Sequence, residues 1–530
     1  MSNVKKHVST INPVGEVLDV GSADEVQWSD ASDVVVVGWG GAGASAAIEA
    51  REQGAEVLVI ERFSGGGASV LSGGVVYAGA VPATRRKPAS RFTEAMTAYL
   101  KHEVNGVVSD ETLARFSRDS VTNLNWLEKQ GATFASTMPG YKTSYPADGM
   151  YLYYSGNEVV PAYGNPQLLK KPPPRGHRVV AKGQSGAMFF AALQKSTLAH
   201  GARTLTQARV QRLVREKDSG RVLGVEVMVL PEGDPRTERH KKLDELVAKS
   251  ACIRRRVPRR VAVNVRRSRA RSARSATSVP AKVWCCPLAA ISSIRNCWSM
   301  RRYKPGWLTG AAGCDGSGLR LGQSVGGIAQ DLNNISAWRF ITPPSVWPKG
   351  LVVNIQGERF CNEQVYGAKL GYEMMEKQGG QAWLIIDSNV RRQAAWQCLF
   401  GGLWAFQSMP ALALMYKVAI KGKSVDDLAK KLRMDAAVLQ LQFDRANAPA
   451  RGEIEDPLGK SQDMRHEFKG GSLFAIDISI SQKMFPLAVL SLGGLKVNED
   501  NGAVIDGAGY DIPGLYAAGV PPLVWLPRVT

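Results

Sequence analysis

Three glycines, Gly38, Gly40 and Gly43, follow an apolar run in "SDVVVVGWGGAGASAAIEAREQGAEVLVIER". Four consecutive valines predict a parallel strand buried on both faces, and the Ala-rich run behind the glycines predicts a helix leading to a second strand, "EVLVIE". In that setting G-x-G-x-x-G is a diphosphate cradle. Gly38 permits the turn, Gly40 lets a pyrophosphate approach the backbone, and Gly43 lets helix and strand pack closely. Gly41 and Ala42 place amides at the helix N-terminus, whose dipole favours an anion. Glu61, ending the second strand, is spaced to accept the hydroxyls of an adenosine ribose.

The next stretch, "RFSGGGASVLSGGVVYAG", holds Arg62, Gly66, Gly67, Ser69, Ser72, Gly73 and Gly74, at the sheet's switch point where a flavin needs close backbone approach. These residues resemble the FAD-dependent family of fumarate reductase and 3-ketosteroid dehydrogenase flavoproteins, whose members carry a comparable GG-x-S…SGG after the acid. The resemblance implies FAD, bound noncovalently because the segment offers no His for flavin attachment. The lack of a CxxxxC after Glu61 counts against a disulfide reductase. Similar blocks recur along the chain. "GQSGAMFFAALQKSTLAHGARTLTQARVQRLV" places Val210 at the adenine, and "GCDGSG" supplies Asp315 and Gly316. "GERFCNEQVYG" supplies Arg359 and Glu363, which organise the flavin site, and Tyr366, the candidate proton-handling tyrosine. The block from Ser491 to Gly519 returns beneath the isoalloxazine.

The implied fold is α/β, a Rossmann-like FAD-binding domain with an inserted α+β substrate cap domain. The expected limits are an N-terminal extension over 1–32, the FAD-binding domain over 33–335 and 481–530, and the cap over 336–480. Within the cap, Ser424 and Asp427 are spaced as a capping box.

Aromatic residues near the implied pocket, Tyr145, Tyr151, Tyr153, Tyr154, Trp338, Phe340 and Trp347, suit a flat apolar ligand. Tyr145, Tyr154 and Trp338 are carried forward as substrate contacts. The steroid-directed members are therefore the nearest in kind, and the expected reaction is dehydrogenation of a 3-ketosteroid-like substrate. Hydride goes to FAD while a base takes the proton next to the carbonyl. Two alternatives stay open: fumarate reductase-like reduction of an activated double bond, and a degenerate flavoprotein without catalysis. No second dinucleotide fingerprint assigns an electron acceptor. The six His show no metal spacing, so no metal is expected, and His177 reads as a surface-loop residue.

The chain has 530 residues, 44% of them hydrophobic and 22% charged, as in soluble globular proteins. Neither an apolar leader nor a membrane span is legible, and seven Cys lack repeated CxxC spacing; a cytoplasmic protein is expected. The net charge of +20 is concentrated between Ala251 and Cys314, where thirteen Arg and two Lys meet no acid. Reading the codons from Val283 two bases later permits Val, Leu, Ser, Thr, Gly and Gly, similar to the family's strand and flavin-facing turn. We expect residues 252–300 to be translated out of frame, and the ending "VPPLVWLPRVT" from Val520 to show the same symptom. The rival is a genuine nucleic-acid tether with steep salt dependence. No nucleic-acid partner is expected, and resequencing the gene decides the matter.

Overall fold

Val34–Val37 forms a buried strand at the centre of a six-stranded sheet. Val57–Ile60 and Lys282–Cys285 flank it, both parallel. Arg203–Leu205 lies beyond the first and Asp511–Ala517 beyond the second, with Ala503–Ile505 antiparallel at the edge. The helix Gly41–Glu52 follows the central strand directly. This computed structural model describes residues 14–79, 90–163 except 105, 172–250, 275–285 except 281, and 303–519 except 304, 309, 312 and 486.

Lys282–Cys285, within the segment expected to be out of frame, pairs with Val34–Val37 on one side and with Asp511–Ala517 on the other. A short Val-Trp-Cys run is β-prone enough to pair by its backbone. The turn after it, most of 252–300, and residues 520–530 lie outside the described residues.

A second sheet consists of Ala208–Glu216, Val222–Val229 and Ser275–Pro280, joined in parallel by Leu18–Val20. The supposed N-terminal extension is thus sewn into this sheet, Leu18 pairing with Val214 and Val20 with Glu216. Three residues are too few for alternation to announce a strand.

Residues 351–477, within the expected cap, supply an antiparallel sheet of Leu351–Val353, Trp383–Asp387, Leu473–Asp477 and Ile420–Gly422. Its period-two alternation feeds two cores. Val352, Leu384 and Ile386 pack toward the helices Ser388–Phe400 and Ala405–Ala413, whereas Leu351, Val353 and Ile385 pack toward Val425–Leu432 and Ala436–Ala450. Ser424 caps its helix by accepting the Asp427 amide, and Asp427 reaches back to the Lys423 amide at 2.8 Å. Ile335–Trp338 pairs with Ala488–Ser491, so the first cap residues share a sheet with the returning chain.

A small sheet of Val75–Tyr77, Gly176–Arg178 and Leu152–Tyr153 holds the Gly-rich segment beside the cap. His177 lies in its middle strand, fully buried, with Nδ1 3.0 Å from the Arg175 carbonyl. This corrects the surface-loop expectation: a loop-like "PRGH" run pairs on both sides once the chain folds.

Candidate active site

The glycine fingerprint is built as its spacing requires. A Cβ on Gly43 would sit 2.0 Å from the Gly38 carbonyl oxygen, so only glycine lets the helix rest on the turn. No side chain caps the helix at Gly40, which leaves the amides of Ala42 and Gly43 facing the mouth of the turn. The Gly41 amide donates to Ser69 Oγ at 2.9 Å, and the Gly66 amide donates to the Trp39 carbonyl at 2.6 Å. The Gly66–Gly67–Ser69 stretch is therefore the opposite wall of the cradle. Glu61 is buried, its oxygens accepting the Trp39 and Phe63 amides at 2.7 Å each. Each oxygen keeps a further lone pair for a ribose hydroxyl. Ala208 donates to the Glu61 carbonyl at 2.8 Å, and Val210 follows in that strand with its side chain buried. Gly519 reaches the same mouth, with Ala42 Cβ 3.2 Å from where a side chain on it would begin. Uncapped amides, a carboxylate at the second strand end and a glycine wall fit an FAD diphosphate and ribose.

Arg62 and Asp315, both expected to touch the cofactor, grip each other. The guanidinium donates to both Asp315 oxygens at 2.9 and 3.2 Å and also to Ser317 Oγ. Asp315 Oδ1 additionally accepts the Ser317 amide at 3.1 Å, and Gly316 opens the helix Ser317–Ser324 in a left-handed conformation, φ 73°. This bidentate pair clamps the end of the cradle to that helix.

Gly73 and Gly74 are fixed from below. A Cβ on Gly74 (φ 60°) would lie 2.6 Å from the Ser185 backbone carbon, and Ser72 Oγ accepts the Gly74 amide at 3.1 Å. Tyr145 supports this segment: its hydroxyl donates to the Gly73 carbonyl at 3.0 Å and accepts the Ser185 amide at 3.1 Å. Behind it stands Arg178, fully buried, which bonds Ser185, Asp148 and the carbonyls of Pro146, Ala147, Ala181 and Gly183. The rings of Tyr145, Tyr151 and Trp404 stack about it. The sequence drew attention to His177, one residue too early; nothing local marks Arg178 as a hub.

The remaining aromatic candidates divide. Trp347 is buried in the cap core, which corrects its expected place on the pocket wall. Tyr154 donates to the Pro172 carbonyl at 3.2 Å and Trp338 Nε1 to Ser336 Oγ at 2.6 Å. Trp338, Phe340 and Tyr366 form one aromatic file with ring centroids 5.7 and 5.5 Å apart, packed near Ala368 and Leu492.

Tyr366 sits at the N-terminus of the helix Gly367–Tyr372, its amide donating to Asn157 Oδ1. Among the described residues no group hydrogen-bonds its hydroxyl. Burial, aided by the carboxyl groups of Glu103 and Glu158, pushes its pKa well above that of an ordinary phenol. Asn157 Nδ2 donates to Glu103 Oε1 at 2.7 Å, and the Asn157 amide donates to the Tyr99 hydroxyl at 2.9 Å. Sequence reading missed Glu103, Asn157 and Glu158 because they belong to no motif. Burial pushes the Glu103 carboxyl up to about 7 against the opposing bonds from Asn157 and Tyr99, and raises Glu158 as well, against the charges of Arg175 and Lys142. Lys142, which donates to the Gln364 carbonyl at 2.8 Å, is lowered by burial to about 8.

A stability prediction follows with a definite sign. The folded chain holds the Glu103 proton more tightly than the unfolded chain, whose value is 4.5. Its contribution is therefore present below 4.5 and lost as pH rises through about 7. Glu103→Gln should flatten urea-unfolding stability between these limits by about 3 kcal/mol. An unchanged slope would contradict the assignment.

Glu363, expected near the cofactor, makes its bonds with residues outside the cradle. Its oxygens accept from Arg359 Nε and Nη2 at 2.9 and 2.8 Å, from Lys460 Nζ at 2.8 Å and from the Val352 amide at 3.0 Å. Arg359 also bonds Asp456 at 2.7 Å, and Lys460 donates to the Gly350 carbonyl. None of these partners belongs to the fingerprint, the Gly-rich segment or the Asp315 turn. Burial alone would raise the Glu363 carboxyl, but Arg359 and Lys460 outweigh it and hold it down to about 2. This network joins the approach to Tyr366 to the cap.

Comparison with known proteins agrees with this geometry. A 3-oxosteroid 1-dehydrogenase of Mycobacterium tuberculosis is 23% identical over 92% of this chain and 92% of its own length. A fumarate reductase (cytochrome) of Shewanella frigidimarina is 23% identical over 92% of this chain and 72% of its own length. The fold is shared with the 3-ketosteroid-Δ4-(5α)-dehydrogenase of Rhodococcus jostii RHA1, solved with 4-androstene-3,17-dione, at a TM-score of 0.75 and 24% identity, covering 95% of this chain and 93% of that one. Residues 33–520 match the FAD binding domain family. With its uncapped helix, ribose carboxylate and glycine wall in place, the chain belongs to that family and is an FAD-dependent oxidoreductase.

Proposed function

We propose that the protein dehydrogenates an apolar ketone of the 3-ketosteroid class beside its carbonyl group. The observation that carries the reading is Tyr366: an unshared phenol on a file of aromatic rings, acted on by burial and two carboxyl groups. FAD, when bound, supplies the hydride acceptor. Because the phenol stays protonated, its O–H can donate to the ketone oxygen and stabilise the enolate that develops as a separate base takes the neighbouring C–H proton. Trp338 and Phe340 keep water from that hydrogen bond. A dianionic dicarboxylate is a poor match, since the charged groups that perturb the phenol, Glu103 and Glu158, are themselves acids. The names of the steroid-directed relatives support the same substrate class.

With FAD and an artificial electron acceptor, addition of 4-androstene-3,17-dione should reduce the dye. Turnover of fumarate by the reduced protein, with no response to the steroid, overturns the reading. Tyr366→Phe should lower kcat about 10²-fold, the loss typical of one oxyanion donor, while flavin content stays unchanged. A variant with undiminished kcat removes Tyr366 from the chemistry.

A further inference from the structure

The helices Ser388–Phe400 and Ala405–Ala413 bury one side in the cap core through Val390, Ala394, Cys398 and Ala411. Their outer side is unusually apolar. Trp396, Leu399 and Phe400 are 61%, 62% and 70% exposed, Phe406 and Met409 are 46% and 64% exposed, and Tyr416 in the continuing turn Leu414–Val418 is 54% exposed. Trp396 and Phe400 stand one turn apart with rings 6.1 Å from each other. Arg392 continues the same stripe toward the helix start, at spacing i, i+4, i+7, i+8. Single exposed apolar residues are ordinary, whereas a contiguous set this large marks an interaction surface.

Charge decides what covers it. From Ser388 to Val425 there is no Asp or Glu, while Arg392 and Lys417 are exposed. A second copy meeting this face about a two-fold axis would set like charges together with no acid to answer them. An anionic lipid surface answers the cations and takes up the aromatic and aliphatic tips. No helix of the described residues is long and apolar enough to cross a membrane, so the contact is interfacial. The surface borders the site: Trp404 stacks on Arg178 at 5.8 Å, and Gln407 Nε2 donates to the Tyr145 carbonyl at 3.5 Å.

We propose that these two helices dock the protein peripherally on an anionic lipid bilayer, with the cap's apolar face inserted at the headgroup boundary. Holoprotein is floated through a density gradient with vesicles of phosphatidylcholine alone and of an equal mixture with phosphatidylglycerol. It should rise with the mixture, less with phosphatidylcholine, and dissociate as salt is raised. The combined Trp396→Ser, Leu399→Ser and Phe400→Ser variant should partition about a hundredfold less. Arg392→Glu with Lys417→Glu, which leaves the apolar face intact, should bind the mixed vesicles about tenfold less. Unchanged melting curves exclude misfolding. Protein that stays at the bottom with both vesicles overturns the proposal. So does light scattering that finds a dimer converted to monomer by the serine variant, because a second copy then covers the face.

Discussion

Gly43→Ala is expected to yield protein that purifies colourless. The added methyl group would stand 2.0 Å from the Gly38 carbonyl, and that oxygen belongs to the turn whose amides would hold the diphosphate. No side-chain rotation relieves a clash between backbone and Cβ, so helix Gly41–Glu52 must lift from the strand or the turn must open. A displacement costing about 3 kcal/mol weakens a ligand by about a hundredfold. Flavin absorbance of the purified variant and titration of apoprotein with FAD measure the loss. Full flavin occupancy at wild-type affinity would show that the diphosphate binds elsewhere. Gly41→Ala is the control, because its Cβ meets only Ser69 Oγ at 3.0 Å and Phe189 at 3.5 Å; its loss should be smaller.

The second large effect is expected at Glu363. Glu363→Ala leaves Arg359 and Lys460 buried beside each other, with Asp456 the remaining acid. Removing one partner from a buried ion network typically destabilises by about 3–5 kcal/mol, a large share of a usual folding free energy. Urea unfolding followed by tryptophan fluorescence should show the cap unfolding first, since Lys460 ties Glu363 to the Gly350 carbonyl. The acid side carries a separate signature. In the folded chain Glu363 titrates at about 2 against 4.5 when unfolded, so its stabilisation is present above 4.5 and lost as pH falls toward 2. Glu363→Gln should abolish that acid-side slope. This is opposite in sign to Glu103, whose contribution disappears on the alkaline side. An acid-side slope that survives in Glu363→Gln assigns it to another carboxylate.

These two sites also mark what the amino-acid order reveals and what it hides. Gly38, Gly40, Gly43 and Glu61 were legible because their partners lie within one strand–helix–strand unit, where local rules tie residue type to geometry. The Ser424 cap was legible for the same reason. Arg178 was not: its partners come from Pro146, Asp148, Ala181, Gly183 and Ser185 together, and no spacing announces such a convergence. Glu363 resembled a cofactor contact because its motif lies near the flavin in similar proteins, yet Lys460, remote in the chain, claims its carboxylate. Glu103 and Asn157, more than fifty residues apart, meet only once the helix Ser90–Val104 packs. The strand Leu18–Val20 was hidden by brevity. Trp347 was misplaced because an aromatic residue fills a core and lines a pocket equally well.

The central sheet takes its strands from residues 34–60, 203–205, 282–285 and 503–517, and its last ladder closes where Asp511–Ala517 meets Lys282–Cys285. A ribosome making this chain therefore releases the dinucleotide fingerprint hundreds of residues before the strand that completes its platform. Until Lys282–Cys285 emerges, one edge of Val34–Val37 has no lasting neighbour, and until Asp511–Ala517 emerges the outer edge of Lys282–Cys285 stands open to illicit pairing. A platform completed so late is expected to receive FAD only after residues 511–517 have been made.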